Sequence, residues 1–154
     1  MLLGCSGSLS DEQRKELREA QSQQVILKVS EADLLAAAFE QGRKVSRLLN
    51  NEGIAPSLLD SIAASNHVQI RWRGLNPSDA LEIERQVIEA YLAAASSGTA
   101  LADNVQRVGS DSLLYTLPVT RYRPDSVLEV AGVWSIKMAT KHIVLGIQAG
   151  KSAR

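Results

Sequence analysis

Arg71 and Arg73 stand two residues apart in the stretch His67-Val68-Gln69-Ile70-Arg71-Trp72-Arg73, and Asn76 follows shortly after. In an extended strand, residues two apart share a face and lie roughly 6.5–7 Å from one another. At that spacing two guanidiniums can hold a carboxylate or a phosphate by forked hydrogen bonds, with Asn76 as a further donor. The competing reading is a solvated pair, or arginines bound to Glu82 or Glu84, since surface pairs of this kind are common and weak. Trp72, Tyr115 and Trp134 would supply an apolar wall to the same pocket, although strand alternation accounts for the two indoles equally well as core. The expected ligand-binding set is therefore Arg71, Arg73, Asn76, Trp72, Tyr115 and Trp134, with no catalytic residue and no metal site.

Other chemistry finds little support. His67 and His142 are the only two histidines; a noncovalent haem would need one or both as axial ligand, with Met138 as a further candidate. The expectation is otherwise of no cofactor. No serine sits in Gly-x-Ser-x-Gly. Asp103, Asp111 and Asp125 fall in predicted loops, where function often lies, but loop aspartates are also ordinary turn formers.

The single cysteine excludes an intrachain disulfide and a Cys-based zinc site. Its setting, Leu2-Leu3-Gly4-Cys5-Ser6, has the order of a bacterial lipobox, in which the thiol is acylated and the Cys becomes the N-terminus. Only four residues precede it, fewer than the apolar stretch of about 7–15 that a secretory signal requires. The small polar run Ser6-Gly7-Ser8 suits a tether. The expectation is a lipidated Cys5 and a periplasmic address, with membrane contact only through that residue.

The elements that must position these residues follow from composition and period. The 154 residues, 45% apolar and 22% charged, suit one globular domain with a substantial core. Equal numbers of basic and acidic residues, 17 of each, give no general attraction to nucleic acid. No apolar run approaches the ~20 residues that span a bilayer. Residues 1–10 read as lipobox remnant and tether, 11–29 as a polar helical stalk capped by Ser10, and 30–150 as one α+β domain. Ser30-Glu31-Ala32-Asp33 caps an alanine-rich helix to about residue 50, ended by Asn50-Asn51-Glu52-Gly53. Its expected buried side is Leu34, Leu35, Ala38, Val45, Leu48 and Leu49, with Gly42 a weakness at its middle. Pro56 opens a short helix with Leu58, Leu59 and Ile62 inward. Alternation from His67 to Arg73 predicts a half-buried strand. A turn at Gly74–Asp79 leads to a helix over 78–95, with Leu81, Ile88, Tyr91, Leu92 and Ala95 as its stripe.

Residues 113–122 and 128–138 predict two strands of a hairpin around Arg123-Pro124-Asp125-Ser126, with Leu128, Val130, Gly132, Trp134, Ile136 and Met138 alternating. Pro118 requires an edge or an irregularity. Residues 105–108 suggest a further short strand, and 141–148 read equally as a strand or a helix. Helices first, then strand, helix and hairpin, predict α+β with N-terminal helices on a small antiparallel sheet.

The order Arg71-Trp72-Arg73-Gly74-Leu75-Asn76-Pro77, then the acidic helix at 82–91, then Leu114-Tyr115-Thr116-Leu117-Pro118-Val119, resembles a family of bacterial periplasmic haem-sensor-like domains with a PAS-like fold. The likeness covers residues 30–138 in short, degenerate motifs. Some members carry a c-type haem on Cys-x-x-Cys-His after the Tyr/Pro strand. That motif is missing here, so covalent haem is excluded by residue inventory. The resemblance implies an extracytoplasmic, non-enzymatic PAS-like domain that binds a small ligand or senses it. The alternative is a structural or assembly lipoprotein that binds an envelope protein.

Overall fold

Capping chemistry starts the first two helices where the sequence places it. The computed structural model describes residues 10–27, 29–49 and 54–152; Cys5, its tether and the helix-ending run 50–53 lie outside them. In α1 (Asp11–Leu27), Ser10 Oγ accepts from the Gln13 N–H at 3.3 Å, and Gln13 Oε1 accepts from the Ser10 N–H at 3.1 Å. This reciprocal pair is a capping box. In α2 (Glu31–Leu48), Ser30 Oγ accepts from the Asp33 N–H at 3.1 Å. Pro56 opens α3 (Pro56–Asn66), where its missing N–H costs nothing.

The remaining elements are β1 (Val68–Arg73), α4 (Glu82–Ser96), β2 (Asn104–Val108), β3 (Ser112–Tyr122), β4 (Leu128–Ala139) and α5 (Thr140–Ser152). The strands form one sheet in the order β1-β4-β3-β2, antiparallel at every pairing. The fold is α+β, as the sequence order predicts. The segment left open between strand and helix is helical. Ile143, Val144 and Ile147 pack on the core at helical spacing, which a two-residue period would scatter over both faces.

Register sorts the side chains into two layers. Val68, Ile70 and Trp72 lie opposite Met138, Ile136 and Trp134, which lie in turn opposite Leu113, Tyr115 and Leu117. This face meets α2, α3 and α5 in the main core, with Leu34, Ala38, Val45, Ile143 and Val144. The other face carries Val133 and meets Val87, Ile88 and Tyr91 of α4 in a smaller core.

Several expectations are corrected. Val130 belongs to the α4 core rather than to the Trp134–Met138 face, because a bulge between Val119 and Thr120 pairs Thr120 with Val130 and skips Ala131. An extra residue on one strand reverses the facing of everything beyond it. Leu48, Leu58 and Leu81 are exposed; the first two lie on the flanks of their helices, and Leu81 precedes the first turn of α4. Helix α4 begins at Glu82, four residues later than the expected start at Ser78, and Asp79 binds Arg73. Strand β3 is interior, yet β2 stops at Asn104 opposite Thr116, so Pro118 sits where that flank is open.

Gly42 is buried in α2 for a packing reason. A Cβ there would lie 2.2 Å from Cγ of the Tyr115 ring, and that residue is 1% exposed with no room to retreat. Gly42→Ala should therefore lower stability by about 1–3 kcal/mol through overpacking, despite a helix-propensity gain of about 1 kcal/mol. Urea unfolding measures the balance; a stabilised variant would show that the ring is free to move.

Candidate functional site

Arg73 does not reach for a ligand. At the end of β1 its Nε donates to Glu84 Oε2 at 2.8 Å, its Nη2 to Glu84 Oε1 at 3.3 Å, and its Nη1 to Asp79 Oδ1 at 2.8 Å. Arg73 is 5% exposed and Glu84 4%. The Leu81 N–H also donates to Glu84 Oε1, at 3.1 Å, so one carboxylate closes the turn, caps α4 and neutralises the arginine. Burial, the largest influence, pushes the Glu84 carboxyl up. The Arg73 fork, the Leu81 N–H and the Ser135 hydroxyl together bring it below its ordinary value. The same pairing raises the Arg73 guanidinium further.

The expected six-residue pocket is not assembled. Trp72 and Trp134 meet edge to face, with centroids 5.1 Å apart, on the α2 side of the sheet. Tyr115 is inside the core there, edge-on to Phe39, and its hydroxyl donates to Asp103 Oδ2 at 2.9 Å. Arg43 holds that carboxylate by a fork of 2.8 and 3.2 Å, which lowers the Asp103 carboxyl. Burial and the neighbouring Asp103 push the Tyr115 phenol up to about 12. Arg71 and Arg73 lie on the opposite face of the sheet, and Asn76 is exposed in the loop beyond β1. The reason is the two-residue period itself: Trp72 must point away from the arginines on either side of it. The loop aspartates do not pair either. Asp125 is bound by Arg123 and the Val127 N–H, and Asp111 accepts from the Ser112 hydroxyl.

The two histidines do come together. His67 ends α3 in a left-handed conformation, φ 55° and ψ 43°, and so turns the chain directly into β1. Val68 then pairs with Met138 at the end of β4, and the chain enters α5, whose first turn carries His142. The two imidazoles stack with centroids 4.9 Å apart and planes 10° from parallel. They line a cleft of about 710 Å³ between α2, β1 and α5, with Glu40, Gln41, Lys44 and Ile147 also on its walls. Gln41 Nε2 donates to the Asn66 carbonyl at 3.3 Å, tying α2 to the turn. Along α5, His142, Gly146 and Gly150 occupy one stripe. A Cβ at either glycine would meet nothing within 4 Å, so this wall leaves the cleft open.

No protein-family model, curated protein or solved structure matches this chain.

The cleft does not fit a haem held between its histidines. Trans axial ligation aims a ring nitrogen from each side at the iron, whereas these rings present their faces to one another. Met138 is 1% exposed within the core. Among the described residues no group of three or more His, Cys, Asp or Glu side chains could hold a metal ion. What the cleft offers is apolar side chains, a cation, a carboxylate, two side-chain amides and two imidazoles. No pattern in the sequence singles out Glu40, Gln41 and Lys44, because helix α2 brings them there only by docking beside α5.

Removing Arg73 would leave Glu84 charged and buried. Arg73→Ala should cost about 3–5 kcal/mol, while Arg73→Met combined with Glu84→Leu should recover most of that loss. Urea unfolding of the three chains tests this; equal destabilisation by the double variant would contradict it. The carboxyls of Glu84 and Asp103 both titrate lower folded than unfolded, so their contribution is present above about pH 4 and is lost as pH falls below it. The acid-side loss should be smaller in the double variant.

Proposed function

We propose that this chain is a lipid-anchored periplasmic domain of PAS-like type, non-enzymatic, that binds a small amphipathic ligand in the cleft between α2 and α5. The observation that carries this reading is the convergence of both histidines of the sequence on the cleft wall beside Lys44, Glu40 and Gln41. A volume of about 710 Å³ lies within the range of about 300–1,000 Å³ typical of small-molecule sites, and an apolar body with a few convergent polar groups is their usual lining. The ligand's apolar part would rest on Val68, Ile143 and Ile147, with its polar groups toward Lys44 and the imidazoles. Trp134 packs against the main core and Tyr115 is buried within it, which supports a structural part for these two.

The anchor rests on the Leu2-Leu3-Gly4-Cys5 order. No helix among the described residues is long and apolar enough to cross a membrane. An acylated Cys5 would bury about 0.8 kcal/mol per CH2. Cys5→Ser in the native gene should move the protein from the membrane pellet to the soluble fraction, as read by fractionation and immunoblot. Retention in the pellet would remove the lipid from the account.

Gly146→Leu tests the cleft. The position has open space, so the substitution should preserve or raise stability by up to about 1 kcal/mol while filling the site. Native mass spectrometry of the Cys5→Ser chain purified from the periplasm, with an absorption spectrum on the same sample, should show a bound mass that adding Gly146→Leu removes. A bound mass unchanged in that variant would place the ligand elsewhere. A chain that carries no bound mass would favour the alternative of a lipoprotein that binds an envelope protein.

A further inference from the structure

The part of the sheet face that α4 leaves uncovered carries two cations, Arg71 and Lys137, that have no acid partner among the described residues. The register sets Gln69 opposite Lys137 and Arg71 opposite Ser135, so Arg71 and Lys137 are diagonal neighbours on one face, roughly 7–8 Å apart at the backbone. Long side chains at that separation can meet over a common point. Among the described residues neither forms an ion pair. The two carboxylates nearby are already engaged: Glu84 takes the Arg73 fork and the Leu81 N–H, and Asp79 takes the third Arg73 contact. Asp79 is 72% exposed at its side chain and feels Arg71 only as a distant charge.

These groups border a depression of about 100 Å³ lined by Gln69, Arg71, Lys137, Ser135, Leu81 and Leu114, and by the Glu84 carboxylate that Arg73 neutralises. Its volume is several times the roughly 10–15 Å³ that one water needs, which leaves room for one compact polyatomic anion. The exposed Leu81 and the buried Leu114 that line it lower the local polarity, which strengthens charge-assisted hydrogen bonds.

We propose that this depression is a binding site for a phosphate group, distinct from the cleft between α2 and α5. Arg71 supplies a planar fork, Lys137 a point charge from the neighbouring strand, and the Gln69 amide a neutral donor. Cations converging from two strands suit a tetrahedral dianion, whose oxygens point in several directions. A carboxylate would be satisfied by the Arg71 fork alone. The buried pairing of Arg73 is what leaves this site to Arg71: it removes the second arginine of the strand and silences the one carboxylate that lines the depression.

The probe is inorganic phosphate, titrated into the full chain at constant ionic strength and followed by amide nitrogen–proton NMR. Saturable shifts should centre on Gln69, Arg71, Ser135 and Lys137. Arg71→Gln and Lys137→Gln should each weaken binding about tenfold or more, as expected for loss of one charge-assisted contact. Acetate at the same ionic strength should bind more weakly than phosphate. Gly146→Leu should leave the phosphate titration unchanged, so failure of the cleft reading and failure of this one are separately visible. Shifts that never saturate, that scatter over the surface cations, or that survive both glutamine variants would overturn the proposal. Sedimentation of the Cys5→Ser chain with phosphatidic acid vesicles, against phosphatidylcholine alone, then identifies the source. Pelleting that depends on Arg71 assigns the phosphate to a lipid headgroup, and a soluble chain that still binds phosphate assigns it to a free phosphorylated molecule.

Discussion

Arg73 and Glu84 are almost wholly shielded from water, and the connection from β1 to α4 is organised around them. A buried guanidinium and a buried carboxylate each carry a large desolvation cost, which is offset only when the geometry is good and the remaining hydrogen-bonding capacity is filled. Here the fork from Arg73, the Leu81 N–H and the Ser135 hydroxyl fill the carboxylate, and Asp79 takes the last guanidinium contact. The pair therefore fixes where the turn ends and where α4 begins. By anchoring α4 at one end of the sheet, it also leaves the other end of that face open.

The opposite face depends on a different fit. Tyr115 fills the space that Gly42 leaves in α2, and its hydroxyl reaches the Asp103–Arg43 pair at the margin of the core. A ring buried this deeply requires a partner for its oxygen, and the loop before β2 provides it. A comparable accommodation occurs at Gly132, where a Cβ would lie 2.3 Å from the Trp72 ring. Both glycines answer to an aromatic neighbour on another element, and neither is a flexible joint. With α2 held at this distance from the sheet, its outer flank and α5 form the two sides of the histidine-lined cleft.

Much of the architecture was legible in the chain. Ser10 and Ser30 cap helices because their hydroxyls reach backbone N–H groups three residues on, a purely local event. The alternation from Val68 to Trp72 fixes one apolar face because side chains in a strand point to opposite sides in turn. The same rule already separates Trp72 from Arg71 and Arg73, so a single pocket built from all three was incompatible with the strand that contains them. Val130 was misplaced because a bulge changes the count between two strands, and pairing is not written in either strand alone. Helical period turns Leu58 inward because it gives a stripe but not the width of the surface that covers it, and it turns Leu81 inward only if α4 begins before Glu82.

The sequence by itself determined the first four helices, the strand periods, the α+β class, the absence of a covalent haem motif and the lipobox-like order around Cys5. These depend on contacts within a few residues or on residue inventory. Tertiary structure alone decided which arginine is engaged and which is free, because Arg73 meets Glu84 only once α4 docks. It also brought His67 to His142, since residues far apart in the chain become neighbours only through the β1–β4 register and the turn into α5. Local propensity acts through short-range sterics and hydrogen bonds. Charge pairing and cleft formation depend on which surfaces are left facing one another after the layers have packed.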